Sequence, residues 1–241
     1  MKYKEIRKYQ TTSLMTEFLI CPYCQIFSPF FTKYFLKNNI IPNIATVYMI
    51  ISGIIGAVLF AIPTVFTQIL GAIFIHIWFI IDCSDGEVAR ITQRFSTFGK
   101  EIDYTAHVIN HPLFNLGILS AMYFSGNYNM IWVFIGIFLL SILDTISRHL
   151  CSFYDIQNLK IPNKQSEESG NIYPKSVQIK TFILNSLLFY PNFVLLFPIF
   201  FFIDMGCGTT LAFWLIIIYV LINLLFIPKQ MYGWVKTIVK A

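Results

Sequence analysis

A dense run of ionisable side chains, DCSDGEVARITQRFSTFGKEIDYTAH, joins two strongly apolar segments at residues 82–107. Asp82 and Asp85 are three residues apart, so helical geometry places them on one stripe with Gly86 and Ala89. Charge in a membrane helix is costly, at roughly 2.5–3.5 kcal/mol per residue near the helix centre. We therefore predict that the charged residues of this run have a function.

A second set of polar side chains begins the following apolar segment. Asp103 and His107 are four residues apart and share a helix face, and His111 lies one turn further. Two antiparallel helices joined by residues 91–101 would bring these side chains to the aspartates of the preceding helix. Carboxylate oxygens suit Mg²⁺ or Mn²⁺, which retain waters and bind substrate phosphates. The spacing predicts a metal site between two helices.

Other residues of the run suit a phosphate-bearing ligand. Gly86 and Gly99 would let a ligand approach the backbone closely. Arg90 offers a planar fork of donors to phosphate oxygens. The run therefore predicts a site for a metal-bound phosphate compound.

The elements that position this run are predicted to be membrane helices. Hydrophobic residues make up 56% of the chain and charged residues 12%, against about a quarter charged in soluble proteins. This composition predicts an all-α integral membrane protein. A spanning helix needs roughly 20 mostly apolar residues. Six segments meet that need, at about residues 45–62, 69–88, 106–124, 130–146, 182–203 and 210–227.

The basic residues predict how these six segments are oriented. All 17 Lys and Arg lie before the first segment, between the second and third, around the connection of the fourth and fifth, or after the sixth. The other connections, near residues 63–67, 125–129 and 204–209, contain none. The positive-inside rule then places both termini and the acidic run in the cytoplasm, with the chain in the cell membrane. This topology explains the net charge of +5 better than nucleic-acid binding does.

The segment before the first crossing has a different character. Residues 21–39 mix aromatic and aliphatic side chains with two Lys, which predicts an amphipathic helix lying in the membrane interface. Pro29 is expected to break or open this helix. We expect two parts, a cytoplasmic arm with the interfacial helix at residues 1–41 and a six-helix membrane domain at residues 42–241.

Small residues recur in the first membrane segment at helical spacing. They are Ser52, Gly53, Gly56 and Ala57. Overlapping small pairs of this kind predict close contact with a neighbouring helix.

The order of residues from Asp82 to Asp103 resembles a known family signature. It is similar to that of the CDP-alcohol phosphotransferases (CDP-alcohol phosphatidyltransferases), D-x2-D-G-x2-A-R-x8-G-x3-D-x3-D, and seven of its eight fixed positions match. Pro42, Asn43 and Thr46, just before the first membrane segment, also resemble family members.

This resemblance implies a reaction and its partners. The family transfers a phospho-alcohol from a CDP-alcohol to a hydroxyl acceptor and releases CMP, in phospholipid or glycolipid synthesis. The donor would be CDP-diacylglycerol with a small polar acceptor, or a soluble CDP-alcohol with a lipid acceptor. Membrane lipids are implied partners, nucleic acid is not, and family members often form homodimers.

The resemblance also implies residue roles. It implies a centre of two Mg²⁺ or Mn²⁺ ions with the carboxylate ligands Asp82, Asp85 and Asp103. It implies that Arg90 contacts the diphosphate. The residues implied to hold the cytidine nucleotide are Gly86, Ala89, Arg90 and Gly99.

The eighth signature position departs from the pattern, because His107 stands where the family has its last Asp. One hypothesis makes His107 the catalytic base, which its ordinary pKa near 6.5 permits. Another makes it a metal ligand, since imidazole suits Mn²⁺ or Zn²⁺ better than Mg²⁺. A third leaves a site that binds but does not react. Asp103 and Glu87 are the further candidate bases, and Glu87 is alternatively expected to pair with a neighbouring Arg.

Two residues outside the signature are candidates for an acceptor pocket. Arg148, which clusters with Asp144 and His149 after the fourth segment, would bind an anionic head group or anchor the helix at the lipid surface. His111 would share a ligand or proton-relay role with His107, or hydrogen-bond a neighbouring helix.

Two other classes of function remain alternatives. Acids and His within membrane helices can mark an ion path, which would indicate a divalent-cation transporter. Against that, the acids cluster at one side of the predicted membrane domain, and the outer connections offer little beyond Asp204. A catalytically impaired protein that binds CDP-lipid is the other alternative, and it rests on His107.

Overall fold

The computed structural model describes residues 2–10, 21–159 and 190–239, and every regular element in those ranges is helical. The helices are α1 (Tyr3–Ile6), α2 (Cys21–Lys37), α3 (Pro42–Ala61), α4 (Val65–Thr92), α5 (Gly99–Ser125), α6 (Met130–Leu159), α7 (Tyr190–Cys207) and α8 (Leu211–Val239). A 3-10 turn at Arg7–Tyr9 follows α1. The predicted all-α class is confirmed for the described part of the chain.

Five of the described helices are long and apolar enough to cross a membrane, namely α3, α4, α7 and most of α6 and α8. The protein is therefore a multi-pass membrane protein. Helix α5 is long enough, but polar residues interrupt its apolar run, so its crossing stays a prediction. These residues are His107, Asn110, His111 and Asn115. The first residues of the predicted fifth segment, 182–189, lie outside the described residues.

The outer surface of the helices is apolar. Large hydrophobic side chains on several helices are more than half exposed, among them Phe66, Ile131, Trp132 and Leu225. An exposed apolar surface of this extent is typical of a chain surrounded by lipid.

Helices α3, α4 and α5 approach one another closely through glycines. A Cβ at Gly71 of α4 would lie 2.4 Å from the backbone nitrogen of Phe60 in α3. A Cβ at Gly117 of α5 would lie 2.8 Å from the carbonyl oxygen of Ala57. Both distances are too short for a real Cβ, so the contact requires glycine. The predicted close packing of the first membrane segment is confirmed.

The three predicted outer connections lie at one end of the helices. Ser120 near the end of α5 donates a hydrogen bond of 2.9 Å to the carbonyl of Ala61, the last residue of α3. Tyr128, between α5 and α6, donates one of 2.8 Å to the carboxylate of Asp204 near the end of α7. The acidic run of α4 and the start of α5 are at the opposite end.

Helix α2 runs unbroken from Cys21 to Lys37 through Pro29, so the expected break is wrong. A proline cannot donate to the carbonyl four residues before it, here that of Gln25. The side-chain Nε2 of Gln10 donates to that carbonyl instead, at 2.8 Å. The N-terminal segment thus supplies the hydrogen bond that the proline removes. That α2 lies in the membrane interface stays a prediction.

Candidate active site

The ends of α4 and α5 bring three of the predicted metal ligands together. His107 Nε2 lies 3.4 Å from Asp82 Oδ1 and 3.5 Å from Asp103 Oδ1. One ligand atom from each residue lies within 4.8 Å of the other two. The spacing of Asp103 and His107 by one helical turn puts both side chains on the face of α5 that meets α4.

The cluster has the features of a cation site. Asp103 Oδ1 is buried and has no hydrogen-bond partner. A buried carboxylate oxygen without a partner is costly unless another group satisfies it. Two carboxylates and an imidazole are a donor set that divalent ions accept. Asp82, Asp103 and His107 therefore fit a divalent metal ion.

Asp85, the fourth predicted ligand, lies one turn further along α4 and has its own partner. The hydroxyl of Thr46 in α3 donates to Asp85 Oδ2 at 2.6 Å. Thr46 is buried, with 5% of its surface exposed. This hydrogen bond orients one carboxylate oxygen toward α3.

Two of the residues implied to hold a nucleotide are in direct contact. A Cβ placed on Gly86 would lie 3.1 Å from Arg90 Nη1 and 3.4 Å from Nη2, so the guanidinium lies over the glycine. Arg90 Nε donates to the carbonyl of Tyr9 at 2.5 Å. The N-terminal segment thus holds Arg90, a contact that the sequence reasoning missed. Ala89 is half-buried on the same helix.

The turn between α4 and α5 is tied to the start of α3. Asn43 Nδ2 donates to Ser96 Oγ at 3.1 Å, and the backbone nitrogen of Gly99 donates to the Ser96 carbonyl at 3.2 Å. The polar residues that precede the first membrane segment therefore hold elements of the site, Asn43 on this turn and Thr46 on Asp85.

The two predicted acceptor-pocket residues, His111 and Arg148, contact each other and Asp144. His111 Nδ1 lies 2.7 Å from Asp144 Oδ2, and Arg148 Nη2 lies 3.0 Å from His111 Nε2. Arg148 Nε also donates to Asp144 Oδ2, at 3.3 Å. His107 Nδ1 joins this group at 3.3 Å from His111 Nε2. His149 is directed elsewhere, toward the hydroxyl of Tyr104 at 2.6 Å.

Aromatic side chains enclose the two histidines. Tyr190 of α7 stacks on His111 with ring centroids 4.1 Å apart. Its hydroxyl donates to Asn115 Oδ1 at 2.5 Å and lies 3.1 Å from the carbonyl oxygen of His111. Trp78 meets both imidazoles edge to face. The sequence reasoning missed Tyr190, whose partners are distant in the chain and leave no local pattern.

Glu87 is a buried anchor for the N-terminal part of the chain. Its carboxylate accepts hydrogen bonds from Ser28 Oγ, from Thr32 Oγ1 and from Gln10 Nε2, the last at 2.7 Å. Only 1% of Glu87 is exposed. The described hydrogen bonds of the Glu87 carboxylate therefore come from α2 and the N-terminal segment. None of them comes from Arg90, the partner that the sequence suggested.

The fold and this cluster define a helical multi-pass membrane protein with a metal-type donor set between two of its helices. The sequence matches the CDP-alcohol phosphatidyltransferase family over residues 39–239, most of the chain. The protein therefore belongs to that family, whose members transfer phospho-alcohol groups from CDP-alcohols in lipid synthesis. A comparison with curated proteins found no match.

Proposed function

We propose that this protein transfers a phospho-alcohol group from a CDP-alcohol to a hydroxyl acceptor and releases CMP, in a reaction that requires a divalent metal ion. The convergence of Asp82, Asp103 and His107 on one point supports this most directly. Arg90 adds a group suited to phosphate one turn beyond Gly86 on α4.

Each residue of the site has a role in holding the donor. Asp82 and Asp103 would bind one Mg²⁺ or Mn²⁺ ion, with His107 as a third ligand or as the catalytic base. Asp85 would provide a ligand for a second ion. Arg90 Nη1 and Nη2 would donate to the diphosphate, since they lie over Gly86, where no side chain obstructs a ligand. Gly99 would leave room for the nucleotide on the α5 side.

The reaction needs positive charge at the diphosphate and an acceptor for one proton. The metal, when bound, supplies that charge to the diphosphate and to the oxygen that leaves with CMP. Asp103 or His107 would take the proton of the attacking hydroxyl. The new oxygen–phosphorus bond then forms as the bond between the phospho-alcohol phosphorus and CMP breaks.

An apolar groove beside the site would accommodate a lipid substrate. An apolar groove of about 530 Å³ runs between α2, α3 and α4. Ile81, which lines this groove, directly precedes Asp82. This supports a substrate with hydrocarbon chains, such as CDP-diacylglycerol, whose polar part would reach the metal ligands.

We further propose that the site faces the cytoplasm. The basic N-terminal segment lies at the same end as the site, because Tyr9 contacts Arg90 and Gln10 contacts Glu87. That end also carries Arg94, in the turn between α4 and α5. The positive-inside rule places such an end in the cytoplasm.

Binding and turnover can be tested in one set of samples of detergent-purified protein. Thermal unfolding is measured with CDP and CMP, each with and without Mg²⁺ or Mn²⁺, and CMP release is measured with a panel of CDP-alcohols and alcohols. A ligand at 100 times its Kd should stabilise the fold by roughly 2.7 kcal/mol. Asp82→Asn should abolish metal-dependent stabilisation by nucleotide. Asp204→Asn, the same change at the opposite end, should retain it.

The outcomes separate the three functions. Metal-dependent stabilisation with CMP release supports the transferase. Stabilisation without CMP release for any substrate pair indicates a protein that only binds CDP-lipid. A shift with metal alone and none with nucleotide contradicts the proposal and favours divalent-cation transport.

A further inference from the structure

We propose that His111 and Asp144 are positioning residues that hold the His107 imidazole with its Nε2 as a nitrogen donor to the metal. This inference rests on the proposed function, because it assigns a role within the same metal site. It decides between the hypotheses for His107 in favour of a ligand.

A continuous series of side-chain contacts connects Asp144 to the cluster of Asp82, Asp103 and His107. Asp144 Oδ2 lies 2.7 Å from His111 Nδ1, and His111 Nε2 lies 3.3 Å from His107 Nδ1. The other nitrogen of His107, Nε2, faces Asp82 Oδ1 at 3.4 Å and Asp103 Oδ1 at 3.5 Å. Each imidazole therefore has its Nδ1 toward Asp144 and its Nε2 toward the cluster.

Two independent contacts determine which nitrogen of His111 carries the proton. The Asp144 carboxylate accepts hydrogen bonds, so His111 Nδ1 carries the hydrogen. Arg148 has only donors, so its Nη2, 3.0 Å from His111 Nε2, requires a bare Nε2. Both contacts indicate neutral His111 protonated at Nδ1.

The tautomer of His107 follows from that of His111. A bare His111 Nε2 can only accept, so His107 Nδ1 is the donor at 3.3 Å and shares the lone pair with Arg148. With a metal bound, the lone pair of His107 would be on Nε2, the nitrogen that lies between Asp82 and Asp103. Metal-bound histidines commonly have their second nitrogen hydrogen-bonded in this manner, which fixes the tautomer and the ring orientation.

The surroundings prevent either ring from turning over. His107 is 8% exposed and His111 is 2% exposed. Trp78 contacts both rings edge to face, and Tyr190 stacks on His111 at an interplanar angle of 28°. The packing of the helices therefore fixes the order of donors and acceptors from Asp144 through His111 to His107.

A nitrogen donor changes which ion the site prefers and which residue takes the proton. Imidazole suits Mn²⁺ or Zn²⁺ better than Mg²⁺, which favours oxygen. If His107 Nε2 is a metal ligand, Asp103 would be the residue that takes the proton of the attacking hydroxyl. Its side chain is 48% exposed, against 19% for Asp82, so it is the more accessible carboxylate of the cluster.

The test is electron paramagnetic resonance of Mn²⁺ bound to the full chain, with the affinity tag removed and no nucleotide present. Electron spin-echo modulation from an imidazole nitrogen is expected in the wild type and lost in His107→Asp, which should still bind Mn²⁺. His107→Asp should also shift the ratio of Mg²⁺ to Mn²⁺ affinity toward Mg²⁺.

Variants of His111 test positioning. His111→Leu leaves His107 Nδ1 without an acceptor and should weaken Mn²⁺ binding roughly 10–100-fold, with loss of the nitrogen signal. His111→Gln offers an amide oxygen in its place and should restore both. Asp144→Leu, which removes the acceptor of His111 Nδ1, should resemble His111→Leu. His149→Ala, on the same helix turn but bonded to Tyr104, should leave both readouts unchanged.

Wild-type Mn²⁺ without nitrogen modulation, or modulation that persists in His107→Asp, would overturn the assignment. So would a His111→Leu variant with unchanged signal and affinity. CMP release measured on the same samples separates this inference from the proposed function. Turnover without the nitrogen signal contradicts only the ligand role, and the signal without turnover contradicts only the transferase.

Discussion

Thr46 Oγ1 lies 2.6 Å from Asp85 Oδ2, so a hydroxyl of α3 holds a carboxylate of α4. The donor is buried, and its partner belongs to the acidic run that the family signature covers. A hydrogen bond of this kind restricts the carboxylate to one orientation before any metal or substrate is present.

Thr46→Val should therefore weaken metal binding at the second proposed ion site. Valine has nearly the shape of threonine but no hydroxyl, so Asp85 loses its donor while the helix contact is preserved. Partners of metal ligands typically contribute 10–100-fold to metal affinity or activity, and we expect a loss of about that size. Mn²⁺ titration and the metal dependence of CMP release measure it.

Thr46→Ser is the matched control, because serine retains the hydroxyl and loses only a methyl group. It should bind metal nearly as the wild type does. Equal affinities for Thr46→Val and the wild type would show that Asp85 does not depend on this hydrogen bond.

Glu87→Gln should destabilise the protein by about 1.5–3 kcal/mol. The buried carboxylate accepts from Ser28, Thr32 and Gln10, and hydrogen bonds to a charged group are worth about that much when removed. Thermal unfolding in detergent measures the loss. Glu101→Gln makes the same chemical change at an exposed position and should have almost no effect. A Glu87→Gln variant as stable as the wild type would contradict the anchoring role.

The sequence alone predicts the helical class and much of the candidate cation site. The spacing of Asp103 and His107 by four residues places both on one helix face, and that relation requires no knowledge of the tertiary structure. The fixed spacing from Asp82 to Asp103 then allows the family signature to identify the helix that meets them. These relations are predictable because they depend on helix periodicity and on short separations along the chain.

The contacts that orient the site could not be predicted in the same way. Gln10 and Glu87 are 77 residues apart, and Tyr190 and Asn115 are 75 apart. Such pairs depend on how each helix is rotated and tilted against its neighbours, which local periodicity does not specify. The unbroken helix through Pro29 could not be predicted for the same reason. The side chain that compensates for the proline, Gln10, belongs to another segment of the chain.

Gly71→Ala should destabilise the contact of α3 with α4. The added methyl group would lie 2.4 Å from the backbone nitrogen of Phe60, and a backbone atom cannot move aside as a side chain can. Overpacking typically costs 1–3 kcal/mol, and we expect a loss of at least about that size. Gly206→Ala is the matched control, because nothing lies within 4 Å of the position its methyl group would take. Equal thermal unfolding of the two variants would contradict the close approach of the helices.

Asp204→Asn should lower stability and leave catalysis unchanged. The carboxylate accepts from the backbone nitrogens of Leu211 and Ala212 at 2.7 and 2.8 Å, which begins α8, and from the hydroxyls of Tyr128 and Thr209. Burial and the neighbouring carboxylate also raise the pKa of the Tyr128 phenol above its usual value, so Tyr128 remains a donor at all ordinary pH values.

The amide introduced by Asp204→Asn would keep one accepting oxygen but would turn an N–H toward donors, so we expect a loss of about 1.5–3 kcal/mol in thermal unfolding. CMP release, measured well below the unfolding temperature, should retain the wild-type rate and metal dependence. Asp204 is the acid that the sequence offered for a path to the far side of the membrane. If a folded Asp204→Asn variant lost metal binding or turnover, the two ends of the helices would be functionally coupled. That result would favour an ion path over a role of Asp204 as a helix cap.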